Sequence, residues 1–140
     1  EISACLVGSE MCIRDSPDGT SAGKYIPVKQ RITYRELLKH NSINCSSVLV
    51  RRDVISRFPM EHDDSHEDYI TWLKILREYQ CAVGINEPLL KYRLSEGGKS
   101  RNKWKSAIMT YRVYRYMGFN ILKSTVLFIS YAIHGLWKYR

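Results

Sequence analysis

The sequence predicts an α/β domain followed by C-terminal helices, and three observations lead there. Short runs at 45–50, 81–85 and 89–92 are rich in small, β-branched and apolar residues, the composition of strands. Between them Tyr69, Trp72, Leu73, Leu76 and Tyr79 recur at helical spacing. From Ser100 to the end the periodicity stays helical. With 140 residues, 44% hydrophobic and 26% charged, the chain has the size and composition of one globular domain, which excludes wholesale disorder.

The elements follow in order. Pro17-Asp18-Gly19-Thr20 and Ser21-Ala22-Gly23 are turn chemistry, and 24–27 extends briefly. Thr33 is placed to cap a helix through Tyr34, Leu37 and Leu38, with Glu36 at the capping-box position and an end by Asn41. Cys45-Ser46-Ser47-Val48-Leu49-Val50 reads as a strand buried on both faces, after which Arg51-Arg52-Asp53 returns the chain to water. A helical turn over 54–58 is stopped by Pro59. Ser65 begins a second helix. Strands at 81–85 and 89–92 flank the turn Asn86-Glu87-Pro88, and Gly97-Gly98 marks a loop. The next helix presents Trp104, Ile108, Tyr111 and Tyr114 or Arg115 until Gly118 interrupts it. The last, 121–137, is the most apolar, yet its uninterrupted apolar run is too short for a bilayer of about 30 Å. It is expected to lie in a membrane interface, with Tyr131, Trp137, Lys138 and Arg140 near headgroups, or to pack on further protein.

The net charge of +8 is uneven: from Lys91 to Arg140 eleven Lys or Arg face the single acid Glu96, whereas 61–68 is acidic. A basic end can hold phosphate, nucleic acid or an anionic surface, and charge alone does not choose. Cys5, Cys12, Cys45 and Cys81 form no CxxC pair and have no His at zinc-finger spacing, so neither a metal site nor a redox motif is indicated. Cys45 and Cys81 read as small buried apolar residues in a reducing, cytoplasmic setting.

Leu6 to Ser16 reads LVGSEMCIRDS, which resembles the in-frame translation of a transposase-type sequencing adapter along its whole length. It is treated like an expression tag and left out of fold reasoning. The chain starts at Glu1 without an initiator Met and is read as cut from a longer frame. The expected organisation is a non-native segment at 1–16, an α/β part at 17–100 and a helical extension at 101–140.

Three features occur in fixed order: Ser46-Ser47, then His66-Glu67-Asp68-Tyr69 with Trp72, then Pro88 through Tyr92-Arg93 to Ser100. The series SSVLVRR, HEDYITWLKIL, EPLLKYR and a following Ser resembles the second half of bacterial family 2 glycosyltransferases that build cell-surface polysaccharides, over roughly 25–116. The resemblance implies the C-terminal half of a GT-A fold followed by C-terminal helices. It implies inverting transfer from a nucleotide-sugar donor to a glycan or lipid-linked acceptor at the inner face of the plasma membrane. Asp68 would be the general base, with Glu67 orienting it or lining the acceptor pocket. A divalent Mg or Mn ion is implied for the full-length enzyme, on an Asp-x-Asp motif that belongs upstream.

The chemistry needs such a residue, because an acceptor hydroxyl is a poor nucleophile until a carboxylate takes its proton. Like charges at Asp63, Asp64 and Glu67 would raise the Asp68 pKa, and a helix N-terminus would lower it. Ser65-x-x-Asp68 is equally a capping box, in which Asp68 only satisfies backbone donors. Tyr92, Arg93 and Ser100 flank a loop from which a guanidinium and a hydroxyl can reach the leaving diphosphate; alternatively Arg93 is a surface charge. Ser46, Ser47, His66 and Trp72 are candidates for the acceptor pocket. The two serines are equally explained by packing, and His66 reads as a structural hydrogen-bonding group rather than a metal ligand. Lys99, Arg101, Lys103, Lys105, Arg112 and Arg115, interleaved with Trp104, Tyr111 and Tyr114, form a solvated helix face, or one that meets anionic headgroups. No nucleic acid is expected for the transferase. The rival reading is a non-catalytic basic module that binds nucleic acid or an anionic membrane surface.

Overall fold

The computed structural model describes residues 6–8, 12–15, 28–87, 89–93 and 102–138, with side chains for 28–87, 89, 102 and 104–135. Its elements are β1 (Leu6–Gly8), β2 (Cys12–Asp15), β3 (Arg31–Thr33), α1 (Tyr34–Lys39), a 3-10 turn (Cys45–Ser47), β4 (Val48–Val50), α2 (Arg52–Ile55), α3 (Glu67–Tyr79), β5 (Cys81–Gly84), β6 (Leu90–Arg93), α4 (Lys103–Tyr116) and α5 (Ile121–Lys138). The fold is mixed helix and strand. One sheet has the order β3-β5-β1-β4, and β2 pairs separately with β6. β5 runs antiparallel to β3 and parallel to β1, with Ala82 opposite Ile32 and Val83 opposite Val7. β1 runs antiparallel to β4 with Val7 opposite Leu49, and β2 parallel to β6 with Ile13 opposite Lys91. β1 and β2 fall inside the adapter-like segment. Apolar pairs such as Leu6-Val7 and Cys12-Ile13 suit strand pairing whatever their origin.

Local chemistry sets the helix boundaries. Glu36 N–H donates to Thr33 Oγ1 (3.4 Å) and Thr33 N–H donates to Glu36 Oε2 (2.9 Å), completing the expected capping box. These bonds, with Lys29 beside it, hold the Glu36 carboxyl down at about 2. α1 ends at His40, and the carbonyls of its last turn receive two buried phenols: Tyr69 OH donates to Leu37 O (2.6 Å) and Tyr114 OH to Leu38 O (2.8 Å). α3 stops at Gln80, whose φ of 70° turns the chain into β5. Gly118, at φ 82°, turns α4 into α5.

The core gathers Ile32, Leu37, Ile43, Val54, Tyr69, Ile70, Trp72, Leu73, Ile75, Leu76, Val113 and Tyr114 around α3. Tyr69, Ile70, Thr71, Trp72, Leu73, Ile75 and Leu76 are all buried, so α3 is enclosed on more sides than a single amphipathic stripe implies.

Three expectations, on the strand at 45–50, its burial and the cysteines, are corrected. Cys45-Ser46-Ser47 is a 3-10 turn, not part of the strand, because Asn44 caps it through its side chain to Ser46 N–H (3.2 Å). β4 is an edge strand of its sheet with Leu49 73% exposed, so it is not buried on both faces. Cys45 is exposed and Cys81 half-buried rather than interior. On α4 the inward face is Met109, Thr110, Val113, Tyr114 and Met117, which leaves Trp104 84% exposed and Ile108 outside; the phase of that helix is set by its packing on α1, α3 and α5. The turns expected at 17–23 and Gly97-Gly98, the extension at 24–27, and Pro88 lie outside the described residues.

Candidate active site

The loop 61–66 delivers the chain to α3, and one face of α4 fastens it. His62 has φ 68°, its carbonyl accepts from Ser65 N–H (2.9 Å), and its ring stacks on Tyr116 at 3.9 Å between centroids. Asp64 accepts from Tyr116 OH (3.0 Å to Oδ2) and from Arg112 through Oδ2 (3.0 Å) and the backbone carbonyl (3.2 Å). Ser65 is fully buried and donates to Met109 O (3.1 Å). His66 Nε2 lies 3.3 Å from Ser106 Oγ and 3.4 Å from Ser106 O. Residues 106, 109, 112 and 116 share one helical face, so successive loop residues meet successive turns of α4.

This anchoring decides between the readings of Ser65 and Asp68. The helix N-cap is His66 and makes no side-chain cap bond, while the Ser65 hydroxyl is committed to Met109, so the Ser65-x-x-Asp68 capping box does not form. Asp68 Oδ1 does accept from the adjacent Tyr69 N–H at 2.7 Å. A hydrogen bond from its own backbone N–H also acts to lower the carboxyl pKa.

The Asp68 carboxyl is half-buried and its pKa is raised, chiefly by burial. The Tyr69 amide bond and the charge of His66 oppose that rise, and the charge of Glu67 adds to it. Burial is thus the leading cause, in place of the repulsion expected from Asp63 and Asp64; both are exposed, and Asp64 is turned to α4. The Cys45 thiol is pushed up by partial burial of its sulfur and then by the charges of Asp68 and Glu67, so it feels both carboxylates. A partly desolvated carboxylate can accept a proton from a hydroxyl brought to it.

The sequence-derived candidates separate into three groups. Asp68, Glu67 and His66 lie together at the start of α3, the Cys45 thiol feels the charges of the two carboxylates, and His66 makes structural hydrogen-bonding contacts to Ser106. Ser47 Oγ bonds Asn44 O (3.3 Å), a packing role within the turn. Trp72 is 2% exposed, so its ring belongs to the core and does not line a pocket; its Nε1 has no partner among the described residues. Tyr92 and Arg93 are placed only as backbone of β6, and Ser100 lies outside the described residues. Among the described residues no three His, Cys, Asp or Glu side chains converge to hold a metal ion. The role of Arg112 and Tyr116 escaped the sequence reading; an Asp-rich loop followed by a basic aromatic helix was the one available signal.

Curated relatives are similar to this chain over most of its length. A Bacillus subtilis (strain 168) protein named as a glycosyltransferase of teichuronic acid biosynthesis, TuaG, is 35% identical over 122 residues, 86% of this chain and 48% of that protein. The chain is homologous to bacterial glycosyltransferases. An uncharacterized glycosyltransferase of Haemophilus influenzae is 33% identical over 121 residues, covering 84% of this chain and 47% of the relative. The Escherichia coli glycosyltransferase WfgD, named as a UDP-Glc:alpha-D-GlcNAc-diphosphoundecaprenol beta-1,3-glucosyltransferase, is 32% identical over 120 residues, 84% of this chain and 46% of that enzyme. The glycosyltransferase homologue thus spans about half the length of the curated relatives it matches. No family model matches the chain, and no solved structure matches it.

Proposed function

We propose that this chain is the acceptor-side, C-terminal half of an inverting family 2 glycosyltransferase of GT-A fold, with Asp68 as general base. The acceptor hydroxyl attacks the anomeric carbon of a nucleotide-sugar as its proton passes to Asp68. The bond from that carbon to the nucleotide diphosphate breaks, and the diphosphate leaves with its electron pair. Glu67 is assigned to the acceptor side with Ser46 and Ser47, and Arg93, Tyr92 and Ser100 are assigned to binding the departing diphosphate. The donor is a nucleotide-sugar and the acceptor a glycan or lipid-linked sugar, in the cytoplasm where nucleotide-sugars are made. Divalent Mg or Mn is expected on carboxylates upstream of this chain.

The observation that carries the reading is the Asp68 carboxyl itself. Its pKa is raised by burial even though the backbone amides of Tyr69 and of Asp68 itself act to lower it. A carboxylate kept only to cap a helix would have its pKa lowered by first-turn amides rather than raised. The relatives carry transferase names, which favours the enzyme over the non-catalytic basic module. The test is Asp68→Asn in the complete enzyme bearing this segment. The expected result is loss of sugar transfer by a factor of about 100 or more with donor binding retained. Transfer within twofold of the parent would refute Asp68 as the base.

A further inference from the structure

We infer that the outer face of α5 is a docking surface for an anionic lipid bilayer, an inference that does not depend on the chemistry at Asp68. Ser124, Leu127, Phe128 and Tyr131 turn inward: Ser124 is fully buried and the other three pack against the core, Tyr131 near the His40 and Tyr69 rings. Tyr131 is therefore not the headgroup contact that the sequence suggested. On the opposite side Leu122, Val126, Ile129 and Ile133 are 75%, 59%, 52% and 50% exposed. Their spacing of four, three and four residues gathers them into an arc of roughly 60°. The helix is thus apolar on its core face and apolar again on its solvent face, which costs free energy in water and calls for a cover.

The chemistry of the cover follows from the charge around the stripe. Residues 103–138 contain six Lys or Arg and no Asp or Glu, and one of the six, Arg112, is paired with Asp64. The outer face of α4 adds exposed Trp104 and Ile108 beside exposed Lys105 and Arg115. Large apolar and aromatic groups interleaved with cations, without acids, match the interface of a bilayer bearing anionic headgroups. No helix among the described residues is long and apolar enough to cross a membrane, so α5 would lie along the surface.

The test is co-sedimentation of the full 140-residue chain with vesicles of phosphatidylglycerol and phosphatidylcholine in equal parts, and with phosphatidylcholine alone. The chain should pellet with the anionic vesicles, less with the neutral ones, and less as salt rises. Val126→Asp with Ile129→Asp should weaken pelleting about tenfold or more while far-UV circular dichroism stays unchanged, since both sites are exposed. Failure to pellet with anionic vesicles, or pelleting undiminished in a folded double variant, would overturn the inference. So would a dimer that the double substitution dissociates, found without vesicle binding, because the stripe would then be covered by a second copy. Lost sugar transfer in Asp68→Asn with intact pelleting separates this inference from the catalytic one.

Discussion

Arg112 of α4 reaches Asp64 across 48 positions of sequence and binds it twice, through the carboxylate at 3.0 Å and the backbone carbonyl at 3.2 Å. Asp64 stands four residues before Asp68, so the helix that follows the α/β part fixes the approach to the candidate base. Both partners are about half exposed, which keeps the global contribution of the pair below about 1 kcal/mol. Its effect is local. Arg112→Ala with Tyr116→Phe should leave the urea midpoint nearly unchanged and speed amide hydrogen exchange in 62–66 about tenfold relative to β5. Equal exchange in parent and variant would show that the loop holds itself.

Asp68 should weaken the fold that carries it. Its folded pKa lies above the ordinary carboxylate value, so the unfolded state releases the proton more readily. The contribution to stability is therefore fully present below the unfolded pKa and is lost as pH rises through the folded one. Asp68→Asn, which keeps an oxygen for the Tyr69 amide, should melt higher than the parent at pH 7. That advantage should shrink as the pH is lowered toward 4. Thermal melts at the two pH values check the sign, and a variant less stable at neutral pH would show that the charge is well solvated.

The phenol of Tyr69 should matter to stability more than its ring size suggests. It is buried and donates to Leu37 O at 2.6 Å. Tyr69→Phe removes one of the two bonds to that α1 carbonyl, which keeps His40 N–H at 3.2 Å, and should cost about 0.5–1.5 kcal/mol in urea unfolding. An unchanged midpoint would mean that the bond from His40 alone satisfies the carbonyl.

Gly84 sits where β5 passes close to the chain entering β3. A Cβ there would collide with the Lys29 carbonyl and press on Val28 Cγ2. Gly84 N–H also donates to Gln30 O at 2.9 Å, so the strand cannot retreat without losing that bond. Gly84→Ala should destabilise by about 1–3 kcal/mol. Circular dichroism melts read the change directly, and an unchanged midpoint would show that the edge yields freely.

Much of the framework could be read from local chemistry. Thr33 and Glu36 form their box, Gly118 ends α4, and Tyr69, Trp72, Leu73 and Leu76 face inward. Each of these depends on residues a few positions apart. What the sequence concealed depends on distant ones. Ser65 looked like a cap because its true acceptor, Met109 O, is 44 residues away. Trp104, Ile108, Tyr111 and Tyr114 were legible as a helical series, but helical spacing does not say which side of a helix meets the protein. Trp72 was assigned to a pocket although its neighbours enclose it. At the site, the acidic residues were legible, but the reason for the raised Asp68 pKa was not, since burial is a tertiary quantity.

The two final helices hold six cations and no carboxylate, and that one-sidedness limits how they can be controlled. Ordinary changes of acidity leave Lys and Arg fully charged. Nothing within the pair can be ionised to neutralise them. Attraction to an anionic surface is therefore adjustable by counter-ions in the medium or by covalent capping of a lysine, and a drift in pH between 6 and 9 should leave it alone.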